Sequence, residues 1–456
     1  MGFFAKLVFF VVFVVSAQAR ELTLSKAIEI GLKNNHEHKI SQMSLEIART
    51  QFMQAQSALY PSFDITMNAT RRDEGVAYSL KGNLPLPAGL GGGALPVDLD
   101  TTILGRDTVL SSINMNYALY SGGKISSIIN QTKLNKKLMK KNIERTKEDM
   151  IFDIKKYFYS YVLANDLYEN AYESFQRMKI VEELTKGLYE GDSLKVKKTD
   201  YLRVQVITSL IELTMHRFHT SKELAKSALI YSIGLSWKEK VELKDNEKVA
   251  LNTLNSLDKL VQDAHEFNVD LQKIKLALHI SEEKIKEAKS AFYPQVGIHA
   301  DVQNMYNSYE YGLNNDQNKN SWTLGIGIKI PLFDGNRDKY KVEQRRIEKK
   351  KNSQMQLMIE DAVAMKIKHA LIEFHNGKNQ IKILGKTKSV ARQNTQLNIQ
   401  GYQIDMIETA DVIQAQLIQS YANADYSKSL YDYKLSLAKL NKLVGKEVLR
   451  VSHGFY

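Results

Sequence analysis

All six prolines of the chain, Pro61, Pro85, Pro87, Pro96, Pro294 and Pro331, fall in two windows; the stretches from Val97 to Tyr293 and beyond Leu332 contain none. Proline inside a helix costs about 3 kcal/mol, because it removes a hydrogen bond and clashes with the preceding turn. The distribution predicts two strand-and-loop islands in a helical protein. In the first island Phe63, Ile65, Met67 and Ala69 alternate with Asp64, Thr66, Asn68 and Thr70, and later Ile113, Met115, Tyr117 and Leu119 alternate with Asn114, Asn116 and Ala118. In the second, Val296, Ile298, Ala300 and Val302 oppose Gln295, Gly297, His299, Asp301 and Gln303. Trp322, Leu324, Ile326, Ile328, Ile330 and Leu332 likewise oppose Thr323, Gly325, Gly327 and Lys329.

Period two over about ten residues predicts four strands, each with an oily and a polar face, long enough to cross an outer-membrane hydrocarbon layer at a tilt. Tyr60, Tyr120, Phe292, Tyr293 and Phe333 stand where strand meets helix, as an interfacial aromatic girdle would. Segments 73–106 and 304–320, Gly-rich or Asn-rich, are expected to be loops facing the cell exterior. The alternative is a soluble antiparallel sheet, as in a periplasmic coiled-coil scaffold or adhesin without a pore.

The first nineteen residues carry Lys6, an apolar run from Leu7 to Val15 and the small-x-small end Ala17-Gln18-Ala19. This is the pattern of a secretory signal peptide, residues 1–19, with the exported chain starting at Arg20. No later run of about 18 apolar residues predicts a membrane helix, so β-strands are the expected route into a membrane.

Landmarks recur in order. "SALYP" ending at Pro61 returns as "SAFYP" ending at Pro294, and "LYSGGK" from Leu119 as "LFDGNR" from Leu332. "KTDYLRVQ" around Asp200 returns as "TADVIQAQ" around Asp411, and Ile233-Gly234 as Val444-Gly445. The pattern predicts a tandem duplication, residues 20–248 and 249–456, each copy reading helix, strand, strand, long helix, turn, helix. The long helices, from Lys124 and Arg337, are expected to run roughly 65 residues, about 100 Å each. Ile151, Ile154, Phe158, Tyr161, Tyr168, Tyr172 and Phe175 keep coiled-coil spacing along the first of them. Four strands cannot close a barrel, and unpaired strand edges are costly in lipid; several copies must therefore share one barrel. Three copies, with twelve strands, leave a lumen suited to the polar faces.

With no cysteine there is no disulfide framework, thiolate metal site or cysteine nucleophile. The formal charge of +12 is spread along helices in which Glu and Asp also recur, which reads as solvated surface and not as a nucleic-acid site. His36 with His38, and His216 with His219, lack the spacing and the carboxylate of a zinc site. Gly325-x-Gly327 lies in a strand and lacks the rest of a dinucleotide fingerprint. No acid/base pair, nucleophile, metal cluster or cofactor motif supports an enzyme.

The opening "TLSKAIEIGLKNN" followed by "SALYP", the "PLFDGNR" segment, and "YQIDMIETADVIQAQLIQSYANADY" together resemble the TolC family of outer-membrane efflux and export ducts. The resemblance implies a mainly α protein with a transmembrane β-barrel: a homotrimer whose twelve-stranded barrel lies in outer-membrane lipid and continues as a periplasmic α-helical tunnel. It implies passive exit of substrates in a tripartite efflux or type I secretion system, with a periplasmic adaptor and an inner-membrane transporter as partners. It places the entrance constriction at Asp411, Gln414 and Asp405, the entrance restraint at Asp200 and Tyr402, and the adaptor-facing tip at Gly191, Lys195 and Gly401. Against the family pattern, Asp405 replaces a turn glycine, Ile407 a basic residue and Gln414 a second ring aspartate. The turn "YEGDSLKVKKTD" is also two residues longer.

Overall fold

The computed structural model describes residues 20–191, 196–246, 250–251, 253–308 and 318–449. The signal-peptide segment 1–19 and Lys195 lie outside these residues. The elements are β1 (Arg20–Leu22), α1 (Leu24–Asn34), α2 (His36–Ser57), β2 (Ser62–Arg71), β3 (Val76–Leu86), β4 (Gly93–Leu104), β5 (Asp107–Tyr120) and α3 (Lys124–Glu190). After these come α4 (Lys198–Ser232), β6 (Val241–Leu243), α5 (Leu257–Phe267), α6 (Val269–Lys289), β7 (Gln295–Asn307), β8 (Asn318–Lys329), α7 (Arg337–Gln403) and α8 (Thr409–Val444). Helices α3 and α7 are each 67 residues long, starting at the two positions the sequence predicts. No helix among the described residues is long and apolar enough to cross a membrane.

The chain forms two compact units, one of them Ile47–Lys137 with Leu276–Ser353. It holds an antiparallel sheet in the order β2-β5-β7-β8. The register aligns Phe63, Met115, Ala300 and Leu324 in one row and Ile65, Ile113, Val302 and Trp322 in the next, so the four expected oily faces form a single face. Asp64, Asn114, Asp301 and Thr323 share a row on the opposite side. The oily face is bare: Phe63, Ile65, Met67, Trp322, Leu324 and Ile326 are each about two-thirds to three-quarters exposed. Three expectations need correction. Segment 304–320, expected to be loop, is strand at 304–307 in β7 and at 318–320 in β8, and 309–317 lie outside the described residues. Strand β8 stops at Lys329 and does not reach Leu332, because Pro331 has no N–H for the ladder. Within 73–106, expected to be loop, β3 and β4 pair as an antiparallel hairpin. Pro85 and Pro96 fit because both strands of a two-stranded ribbon are edges.

The second unit contains Leu138–Lys275 and the described residues up to Glu46 and from Gln354 onward. In one core Leu22 of β1 packs with Ile154 and Phe158 of α3 and Leu229 of α4; in another Leu260 of α5 packs with Ile367 and Phe374 of α7 and Leu440 of α8. Ile154 and Phe158 are therefore core, as the coiled-coil spacing predicts, whereas Tyr172 farther along is exposed and stacks on Tyr168.

The same lock occurs twice in this unit. The Asn35 side chain receives the His38 N–H and donates to the Ser232 carbonyl at 2.8 Å; the Asn268 side chain receives the Leu271 N–H and donates to the Leu443 carbonyl at 2.8 Å. Each asparagine starts one helix and satisfies a carbonyl at the end of another. The glycines that follow, Gly234 and Gly445, have left-handed backbones, and a Cβ on either would lie 2.6 or 2.4 Å from a carbonyl oxygen.

Glu148 of α3 is part-buried near Arg145, Asp149 and Asp270, and burial pushes its carboxyl from the ordinary 4.5 up to about 7, against the pull of Arg145. Arg145 is itself held by Asp149 and by Asp270, at 3.0 Å from the latter. The folded state thus binds this proton more tightly than the unfolded state, so its stabilising contribution is full below about pH 4.5 and is lost as pH rises to about 7. Glu148→Gln should be more stable than the native chain by about 1 kcal/mol above pH 7, after discounting for solvent screening, and equal to it at pH 4.5. Melting at the two pH values checks this.

Candidate functional site

Two places carry functional potential: the helix turns after α3 and α7, and the two faces of the sheet. At the turns Met178 and Val181 of α3, Val204 of α4, Tyr402 of α7, and Val412 and Ile413 of α8 form one buried cluster. Tyr402 is 3% exposed, and its hydroxyl lies 2.7 Å from Thr185 Oγ1 and 3.2 Å from Thr409 Oγ1. Thr185 already donates its single proton to the Val181 carbonyl at 2.7 Å. The chain of bonds therefore runs one way: Thr409 donates to Tyr402, Tyr402 to Thr185, and Thr185 to the backbone. These buried hydroxyls tie the α7–α8 turn to α3.

Asp200, the other half of the restraint implied by the family, does not meet Tyr402 in this protomer. Its carboxylate accepts from the Lys197 N–H at 3.0 Å, at the start of α4, and lies 3.6 Å from Arg203. That is the role of an acidic residue in a first helical turn. Tyr402→Phe leaves the Thr409 hydroxyl without its acceptor and should loosen the turn by about 1–2 kcal/mol, a five- to thirtyfold rise in open population. Faster proteolysis within 401–408, with Asp200→Ala unchanged there, is the expected result; the reverse pattern would contradict the assignment.

The departures from the family pattern have local explanations. Asp405 has a left-handed backbone, φ 61°, the conformation a turn glycine would take and one that Asp tolerates. Gly401 leaves room for Ile407: a Cβ there would lie 2.4 Å from Ile407 Cγ1. Gly191 follows α3 directly, its N–H bonding to the Gly187 carbonyl. Asp411 and Gln414 lie one turn apart on the exposed side of α8, while Val412, Ile413 and Ala415 are buried.

Sequence reasoning missed Thr185 and Thr409, whose hydroxyls carry no pattern. It also missed a stripe on α7 for which the signal was present. Tyr340, Ile347, Met358, Met365, Ile372, Ile383, Val390 and Leu397 recur every seven or eleven residues, and each is 57–67% exposed. Leu202, Val206, Leu210, Leu213, Leu224 and Tyr231 make a similar exposed stripe on α4.

The chain combines a sheet with one bare oily face and two 67-residue helices, each about 100 Å long. Residues 260–446 match the family model described as outer membrane efflux protein. Solved structures with this fold include the Campylobacter jejuni CmeC outer membrane channel, at 15% identity and TM-score 0.75, covering 94% of this chain and 87% of that one. The outer membrane protein VceC of Vibrio cholerae aligns at 14% identity and TM-score 0.73, over 93% and 96% of the two chains. The open state of the Neisseria gonorrhoeae MtrE outer membrane channel aligns at 16% and 0.72, over 94% and 90%. No curated protein matches the chain by sequence. Residues 260–446 thus match the outer membrane efflux protein model, and the chain shares the fold of these outer membrane channel structures over nearly its whole length.

Proposed function

We propose that three copies of this chain close a twelve-stranded barrel in the outer membrane and continue it as a periplasmic helical tunnel, a passive exit duct for efflux or type I secretion. The observation that carries this reading is the sheet. Its oily face is bare, and among the described residues β2 and β8 each have one neighbouring strand. In lipid each unsatisfied backbone group costs several kcal/mol, so the edges of one copy must pair with those of the next. The α7 and α4 stripes support the same ring, because head-to-tail contact brings the stripe of one copy against a different stripe of its neighbour until the rotation closes. A soluble scaffold would need a cover for the oily face.

The chain reads as two repeats of one plan, 20–248 and 249–456, and the recurrence of the Asn35 lock at Asn268 supports this. The turns at Gly191, Lys195 and Gly401 would meet a periplasmic adaptor, with an inner-membrane transporter supplying the energy. Asp411 is exposed at the start of α8, and threefold symmetry would gather three copies around the axis. Two carboxylates about 6 Å apart repel by roughly 3 kcal/mol at an effective dielectric near 20, so the ring holds cations or dilates. Gln414, one turn on, is neutral, which leaves a single ring. Purified protein in planar bilayers should show low conductance, cation preference and block by multivalent cations from the periplasmic side, each reduced in Asp411→Asn. Unchanged selectivity and block with trimers intact would remove Asp411 from the constriction.

A further inference from the structure

The polar face of the sheet has a row almost without side chains. Ala118, Gly297 and Gly327 are paired across β5, β7 and β8, and Gly325 ends the next row beside Asn116 and His299. Gly297 is close to a neighbour, since a Cβ there would lie 3.3 Å from the Tyr117 carbonyl oxygen. Gly325 and Gly327 have no such reason. Neither has a left-handed backbone, and a Cβ on either would meet nothing within 4 Å. Glycine inside a strand weakens it and, where the backbone does not need it, marks a place kept open for something to approach closely.

The bare row is the floor of a recess of about 830 Å³ on this face. Tyr60, 73% exposed, walls it at the helix end, and Lys329 stands at its edge. No carboxylate lines it. Lys329 forms no ion pair among the described residues, whereas His299 is engaged by Asn116 at 3.0 Å and Asp301 at 3.3 Å. A flat floor, an aromatic wall and an ammonium without an ion pair among the described residues define a ligand chemistry: a planar ring to lie on the backbone against Tyr60, and a negative group to meet Lys329.

We propose that this recess is a resting site for amphiphilic aromatic anions on the lumen wall, one in each protomer. The proposal rests on the reading of the polar face as a lumen. It is tested with purified trimer in planar bilayers and three probes: naphthalene-2-sulfonate, methanesulfonate, which keeps the anion without the ring, and 2-naphthylmethylammonium, which keeps the ring and reverses the charge. Naphthalene-2-sulfonate should reduce the current at concentrations at least about tenfold lower than either of the others. Lys329→Gln should weaken this block by about tenfold. Gly327→Leu, which fills open space and favours a strand, should abolish the block while retaining the conductance steps. Equal block by all three probes overturns the site, as does block untouched in both variants. Conductance without any block overturns the site and leaves the channel reading intact; absence of conductance in the native protein overturns both.

Discussion

Leu324→Arg or Ile326→Arg should abolish outer-membrane assembly, whereas Thr323→Arg, on the neighbouring residue, should leave most of it intact. Both apolar side chains stand near the middle of β8 on the bare face, each 67% exposed, in rows shared with Ala300 and Met115 or with Ile298 and Tyr117. Arginine facing lipid near the midplane of a β-barrel costs about 2–4 kcal/mol. With three copies in the proposed barrel this comes to about 6–12 kcal/mol, comparable with the whole stability of many domains. Thr323 shares its row with Asp301, Asn114 and Asp64 on the polar face, where a guanidinium keeps its water. Heat-modifiable trimer recovered from outer-membrane fractions is the measurement. Equal losses for the two faces would contradict the assigned alternation.

The alternation that supports this prediction was legible in the sequence because a strand with one face in oil must repeat every second residue. The starts of α3 and α7 were legible for a related reason: a proline-free run with helical apolar spacing has few other options. What stayed hidden depends on information that periodicity does not hold. The pattern from Trp322 to Leu332 overran the strand because hydrophobic alternation ignores the missing N–H of Pro331. The hairpin was hidden the opposite way: Tyr78, Leu80 and Leu84 alternate against Leu95, Val97 and Leu99, but three prolines and the glycines near its turn made the segment look like loop. At the α7–α8 turn the family pattern located Tyr402 but not its partners, since Thr185 lies 217 residues away and a buried hydroxyl leaves no trace in spacing. Asp200 belongs to its own helix cap, a local role that its place in the first turn of α4 already allowed. The α7 stripe was open to inspection, yet only the fold shows that it is uncovered within one copy.

That stripe gives the second large effect. Met365→Glu on α7, or Leu210→Glu on α4, should convert trimer to folded monomer. Met365 is 65% exposed and Leu210 52% exposed in the single copy, so neither change disturbs the protomer's own core. In the proposed ring a neighbour would cover both positions. Burying a side chain of this size contributes about 1.5–3 kcal/mol, and a carboxylate in its place is left without a partner in a desolvated seam. Each interface should therefore lose about 2 kcal/mol or more. Three interfaces close the ring, so the loss is about 6 kcal/mol, or about four orders of magnitude in the assembly constant. Lys366→Glu, about a quarter-turn around α7 from Met365, is the control, since it changes more charge without entering the stripe. Sedimentation should give monomer with unchanged helical content for the first two variants and trimer for the control. Trimer in all three would mean that the stripes face something other than a second copy of this chain, and the ring would have to close through the strand edges alone.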